Sequence, residues 1–431
     1  MTYPAAIDYL YGLQKHGIKL GLEGMTALLD AIGHPERRLR ILHIGGTNGK
    51  GSTAAMAAAM LQASGMRVGL YTSPHLVEFL ERMRVNGTMI AEDRLADLVE
   101  QVGAAIPAAL TLTFFEVTTA MALLHFAESG VDIAVLEVGM GGRFDATNVV
   151  APLACAITTI ALDHQEYLGP TEDAIAFEKA GIIKPAVPVV IGRMGPEAGR
   201  VMQRIAAERG APLWRLGDDF AVEGDSPACF TYRGRTRVFE GLQCGLPGRH
   251  QLDNAACAIA LLEAAGQAVA PVDEAAVRTG LQSVTWEGRL ELIEKDPIVL
   301  LDGAHNPAAA AVLARYLAEF LARHPGARII LVWGMMRDKD HREFIAPLLP
   351  LISEVVLTQA ALARSATVQE LRLALADWQK PVCEAPQPVE ALRVAKQRAS
   401  AQDLICVAGS LMVLGDIKAA ARGCGLSLIR G

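Results

Sequence analysis

The residues best able to do chemistry stand together in the run GGTNGKGST, 45–53. An apolar run at 41–44 precedes it, and an Ala-rich helical stretch follows from Ser52. Strand, glycine-rich turn and helix N-terminus together suit a phosphate group. Backbone N–H groups and the helix dipole converge on the anion, and glycines let it approach. In this arrangement Lys50 contacts the outer phosphates of ATP, and Ser52 or Thr53 faces Mg2+. The strict pattern G-x-x-x-x-G-K-[ST] is not met. Ile44 occupies the first glycine position and Gly51 the hydroxyl position. A purely structural glycine turn is the competing interpretation.

Other candidates lie at the ends of apolar runs. Glu137 closes the run 133–138, so its carboxylate can hold Mg2+ directly or through water. A solvated strand end is the alternative. Asp302 closes the run 298–301 and is followed by GAHNP. Asn306 can cap the next helix, with Pro307 at its first position. Asp302 and His305 then stand in the crevice where α/β sheets bind ligands. TFFE at 113–116 sets two aromatics beside a carboxylate. Such a group can stack a flat heterocycle and accept its N–H hydrogens, or can be two core phenylalanines with a capping Glu. Taken alone, His164 reads as a structural histidine, Ser73 as a turn residue before proline, and Lys179 as a surface lysine.

These residues need elements to hold them. Runs at 41–44, 68–71, 133–138, 154–160 and 187–191 read as buried strands, with helices at 54–62 and 118–126. The alternation predicts a parallel sheet covered by helices. After residue 290 the pattern restarts, with strands at 298–301, 329–333, 355–357 and 404–407 and helices at 308–321 and 388–397. The expected fold class is α/β. A P-loop ATPase-type parallel-sheet domain spans 1–288, a linker 289–297, and a smaller, doubly wound Rossmann-like domain 298–431.

Bulk properties narrow the function classes. The 431 residues favour two domains, and 52% hydrophobic residues suffice for two cores. A net charge of -7 without a Lys/Arg cluster argues against nucleic-acid partners. The seven scattered cysteines, an odd number with no C-x-x-C pair, read as reduced cytosolic thiols. The start lacks a basic segment followed by an apolar run, and 54–63 is too short to span a bilayer. The expectation is a cytoplasmic protein without membrane partners.

GTNGKGS resembles the Mur ligase superfamily, specifically the folylpolyglutamate synthases and dihydrofolate synthases. The resemblance covers nearly the whole chain, through KLGLEGMTALLDAIGHPE, YTSPHL, TFFEVTT, LEVGMGGRFDATN, ALDHQEYLG, EKAGIIK, GRL, LDGAHNP and GMMRDKD. It implies an ATP-dependent ligase that adds L-glutamate to dihydropteroate and to tetrahydrofolate polyglutamates through an acyl phosphate. It assigns ATP to Gly49, Lys50, Gly51, Ser52, Asn254, Arg289 and Asp302. Arg289, on the linker, can reach a phosphate when the domains close. It assigns two magnesium sites to Ser52, Ser73, Glu137 and His164, and leaves room for a monovalent cation. It makes Lys50, Lys179 and His305 catalytic, with Lys179 carbamylated. It gives the pteroate to Thr113, Phe114, Phe115, Glu116, Phe144, Asp145 and Ala146. His305 and Ser410 are candidates for orienting the glutamate. A monomer is expected. A monofunctional folylpolyglutamate synthase and a cell-wall Mur-type ligase are the alternatives. A simple P-loop ATPase leaves the second α/β unit unexplained.

Overall fold

The computed structural model describes residues 1–17, 19, 21–266, 269 and 272–423. The first domain is built on β1 (Ile41–Gly45), β2 (Val68–Tyr71), β3 (Met83–Val85), β4 (Thr88–Met89), β5 (Ile133–Glu137), β6 (Ala154–Ile157), β7 (Val189–Ile191) and β8 (Leu213–Arg215). They form one sheet in the order β4-β3-β2-β5-β1-β6-β7-β8. The strands from β2 to β8 in that order run parallel, and β3 and β4 extend the edge as an antiparallel ribbon. Helices cover both faces, so the inner strands are mostly apolar; β1 is buried at every position.

Two predicted strands are shorter than the apolar runs that announced them. β6 stops at Ile157, because Thr158 and Thr159 turn away to bond the phosphate loop. β7 starts at Val189, since Pro188 can offer only its carbonyl, which Cys155 N–H takes at 3.0 Å. In register, Ile44 stands opposite Glu137 on one side and Ala156 on the other. The loop after β1 therefore emerges at the carboxyl edge of the sheet, beside the end of β5.

The helix Lys50–Ala63 begins at Lys50, ahead of both Ser52 and the predicted 54–62 segment. Its small alanines let it sink between the sheet and the helices His250–Ala265 and Glu274–Ser283, and it is buried nearly all round. A three-stranded antiparallel sheet of β9 (Ala221–Ser226), β10 (Cys229–Arg233) and β11 (Val238–Leu242) was not anticipated. One face of it is polar and solvated, while Phe230, Tyr232 and Phe239 enter the main core.

The second domain contains β12 (Glu291–Lys295), β13 (Ile298–Leu301), β14 (Ile329–Trp333), β15 (Glu354–Leu357), β16 (Val382–Glu384) and β17 (Leu404–Ala408), in the order β12-β13-β17-β14-β15-β16. All neighbours run parallel except β12, which is antiparallel to β13. This corrects the linker assignment of 289–297, whose sequence ELIEK is a half-exposed edge strand of the second sheet. The helix Pro307–Arg323 packs on one face; Pro388–Arg398 and Leu411–Ala421 pack on the other. No helix among the described residues is long and apolar enough to cross a membrane.

Candidate active site

The phosphate loop is clamped from β6. Thr47 N–H donates to Thr159 O at 2.7 Å, Asn48 N–H to Thr159 Oγ1 at 3.0 Å, and Thr158 Oγ1 to Asn48 O at 2.6 Å. Gly49 has φ +87°, and a Cβ there would lie 2.4 Å from Asn254 Oδ1. Gly51, where the strict phosphate-loop pattern has a hydroxyl, faces Trp286 from the domain junction. A Cβ at Gly51 would lie 3.0 Å from Trp286 Nε1. The departure from the pattern thus has a packing cause. Lys50 Nζ donates to Thr47 O at 3.1 Å, folded over its own loop.

Glu137 is buried and accepts Ser73 N–H at 3.1 Å. Burial raises its pKa, and Lys50, the Ser73 amide and Arg289 pull against that rise. Lys179 is not on the surface. It is 4% exposed on the helix Glu172–Ala180, with Nζ donating to Gly46 O at 2.9 Å. Burial, reinforced by the charge of Lys50, lowers its pKa to about 7. His164 heads the short helix Gln165–Leu168 with φ +49°. Its side chain is 39% exposed, yet desolvation in the cleft lowers its pKa against the pull of Asp163.

From the second domain, Asp302 accepts Leu290 N–H and Ala304 N–H, both at 2.9 Å. Burial raises its pKa while Arg289 lowers it. Arg289 lies across Gly303, where a Cβ would come within 2.3 Å of its Nη1. One cavity of 790 Å³ is lined by Gly49, Lys50, Gly51, Ser52, Ser73, Glu137, His164, Lys179, Asn254, Arg289, Asp302 and His305. The structure therefore brings every residue expected at the nucleotide and metal into one cleft between the domains. No group of three or more His, Cys, Asp or Glu side chains able to hold a metal occurs among the described residues.

A second cavity of 380 Å³ is lined by Thr113, Phe114, Phe115, Glu116, Phe144, Asp145 and Ala146, with Ser410 and Lys339 from the second domain. Thr113 and Glu116 also build the start of the helix Phe114–Glu128. Glu116 Oε2 accepts Thr113 N–H at 2.7 Å and Thr113 Oγ1–H at 2.8 Å, and Thr113 Oγ1 accepts Glu116 N–H at 3.2 Å. That cap does not use Glu116 Oε1. Phe115 lies against Gly139, where a Cβ would be 2.4 Å from its Cζ. Fully buried Arg82 stacks 5.2 Å from the centre of the Phe114 ring. Ser410 caps the helix Leu411–Ala421 by accepting Met412 N–H at 3.1 Å. The two cavities share Ser73, Pro74, Gly139, Met140, His164, His305 and Leu411 on their walls, so they meet at that junction.

Sequence reasoning overlooked the residues that join the domains. Asp163 accepts Lys339 Nζ–H at 2.6 Å and Asn306 Nδ2–H at 3.1 Å, and lies 3.5 Å from His305 Nε2. Burial opposes its charge, but the hydrogen bond and charge of His305, with His164 and Lys339, hold the carboxyl well below the usual range. Asn48 and Asn306 exchange side-chain hydrogen bonds at 3.0 and 3.2 Å. Asp163 and Lys339 both stood in quoted motifs, ALDHQEYLG and GMMRDKD, but nothing in the chain paired them across 176 positions.

Comparison with known proteins bears on the same cleft. Residues 44–262 match the Mur ligase middle domain, and residues 288–411 match the Mur ligase glutamate ligase domain. A Bacillus subtilis dihydrofolate synthase/folylpolyglutamate synthase is 35% identical over 97% of this chain and 98% of its own length. The structure of Escherichia coli FolC in complex with DHPP and ADP aligns with a TM-score of 0.90 at 32% identity, over 98% of each chain. A solved bifunctional folylpolyglutamate synthase/dihydrofolate synthase with Mn, AMPPNP and L-glutamate bound aligns with a TM-score of 0.87 at 32% identity, again over 98% of each. The chain belongs to the Mur ligase family, within its dihydrofolate synthase/folylpolyglutamate synthases, which are ATP-dependent ligases.

Proposed function

We propose that this enzyme joins L-glutamate to dihydropteroate, forming dihydrofolate, and to tetrahydrofolate polyglutamates, converting ATP to ADP and phosphate. One observation carries this reading: the nucleotide cleft and the aromatic pocket meet at Ser73, Gly139, His164 and His305. A carboxylate reaching out of the aromatic pocket would arrive beside the outer phosphates held by Lys50 and the loop.

The acceptor carboxylate attacks the γ-phosphorus of ATP, the bond to the ADP oxygen breaks, and an acyl phosphate forms. The amine of glutamate then attacks the acyl carbon, and phosphate leaves with formation of the amide. The chain supplies positioning and charge neutralisation rather than a nucleophile. Lys50 from the loop and Arg289 from the domain junction face the phosphates in the same cavity. Phe114, Phe115, Phe144, Asp145 and Ala146 hold the ring system. His305 and Ser410, on the second domain, orient the incoming glutamate.

Ser52, Ser73 and Glu137 would hold Mg2+ through hard oxygen donors, and His164 is the candidate ligand at a second site. The bound cation spreads the negative charge of the phosphates. Lys179 is the carbamylation candidate. Its amine is buried beside the loop and half neutral near pH 7, the state that reacts with carbon dioxide. A cytoplasmic monomer completes the reading, and the cysteines of the described residues are all free. ADP release that requires an acceptor and L-glutamate together tests the function.

A further inference from the structure

His43 stands on β1, two residues before the phosphate loop, and has no exposed surface. It lines neither cavity. An imidazole inside an apolar strand costs stability unless it is hydrogen-bonded. His43 Nε2 lies 2.8 Å from Thr147 Oγ1. Thr147 Oγ1 lies 2.5 Å from Asp145 Oδ1 and donates to it. Asp145 also accepts Met140 N–H at 2.9 Å and Thr147 N–H at 3.0 Å, so both of its oxygens act as acceptors.

These contacts fix the direction of the chain. Thr147 has one hydroxyl hydrogen, and Asp145 takes it. His43 Nε2 must then carry the hydrogen that reaches the Thr147 oxygen. The other ring nitrogen, Nδ1, is buried without a partner among the described residues. A bare buried acceptor is better tolerated than an orphaned N–H, which selects the same tautomer independently. Burial also keeps the ring neutral, lowering its pKa to about 3.

We propose that His43 is a positioning residue of the acceptor pocket: acting through Thr147, it fixes the Asp145 carboxylate on the pocket wall as an oriented acceptor for the ring N–H groups of a flat heterocyclic substrate. The inference rests on the acceptor assignment made above. The relay also ties the pocket floor to the strand that carries the phosphate loop. Losing it weakens acceptor binding in the ground and transition states alike, which raises KM and leaves kcat.

The test is steady-state kinetics with dihydropteroate, ATP and L-glutamate on the full chain and four variants. Thr147→Val and His43→Leu raise KM for the acceptor about tenfold, the scale of a hydrogen bond to a charged group, with kcat and KM for ATP near those of the unaltered enzyme. Thr147→Ser keeps the hydroxyl and His43→Gln keeps a donor near Nε2, so both retain a low acceptor KM. An unchanged acceptor KM in Thr147→Val overturns the proposal. So does His43→Gln matching His43→Leu with both substrates' KM values rising together, since that is the mark of packing alone. If His43→Leu does not fold, Thr147→Val against Thr147→Ser decides. No turnover by the unaltered enzyme overturns the function assignment and this proposal with it, whereas normal turnover with unmoved variants overturns the proposal alone.

Discussion

Lys339 of the second domain donates to Asp163 of the first at 2.6 Å, and both side chains are largely buried. This ion pair ties the two domains together across the cleft. Lys339→Met leaves the Asp163 charge buried without its nearest cation, a change that typically costs about 3–5 kcal/mol. The cost falls on the contact between the domains, because the pair belongs to neither core. kcat/KM for the acceptor should fall by about 100-fold or more, with the melting transition of the isolated cores little changed. Unaltered steady-state kinetics in Lys339→Met would contradict this role.

The sequence revealed the elements of this cleft far better than the contacts across it. β1, β5 and β13 are short, buried, mostly apolar runs, and the chemistry-bearing residues Glu137 and Asp302 mark the carboxyl ends of β5 and β13. Strands with one wet face were invisible for the opposite reason. β9 to β11 and the edge strand β12 mix charged and apolar residues too evenly to read as buried segments. Lys179 looked like a surface lysine because a sequence carries no measure of burial. Asp163 and His43 were missed because their roles are set by partners far along the chain.

Lys179 should make stability and activity diverge. Its pKa is near 7 in the native state and 10.5 when unfolded. Between those values the unfolded chain holds a proton that the native chain lacks, so stability rises with pH across that window. In buffer free of carbon dioxide, Lys179→Met should raise the melting temperature most below pH 7 and least near pH 10.5, while activity is lost. Intact-mass measurement of the unaltered protein with bicarbonate should reveal the carbamate. Full activity in Lys179→Ala, with no added carbamate by mass, would sink that assignment.

Gly49 is required by two constraints at once. Its φ of +87° strains any side chain, and a Cβ would press on Asn254 Oδ1 at 2.4 Å. Gly49→Ala should therefore displace either the loop or Asn254 and weaken ATP binding by about tenfold or more, a loss of about 1.4 kcal/mol. Calorimetric titration with a non-hydrolysable ATP analogue reads this directly, and an undiminished affinity would contradict it.

Arg289 stands between Glu137 and Asp302, close enough for its charge to hold down the pKa of both. As the proposed phosphate contact from the domain junction, it would contribute a charged hydrogen bond worth about 1.5–3 kcal/mol. Arg289→Gln should raise KM for ATP by about 10- to 100-fold and leave KM for the acceptor nearly unmoved. A selective effect on the acceptor would move Arg289 to the other cavity.

The most direct measurement supplies dihydropteroate, ATP, Mg2+ and L-glutamate together and follows dihydrofolate and ADP. The two cavities meeting at Ser73, Gly139, His164 and His305 predict dihydrofolate and ADP in equal amounts. Omitting the acceptor or the glutamate should stop amide formation. Absence of product with dihydropteroate, and likewise with tetrahydrofolate in its place, would contradict the assigned function.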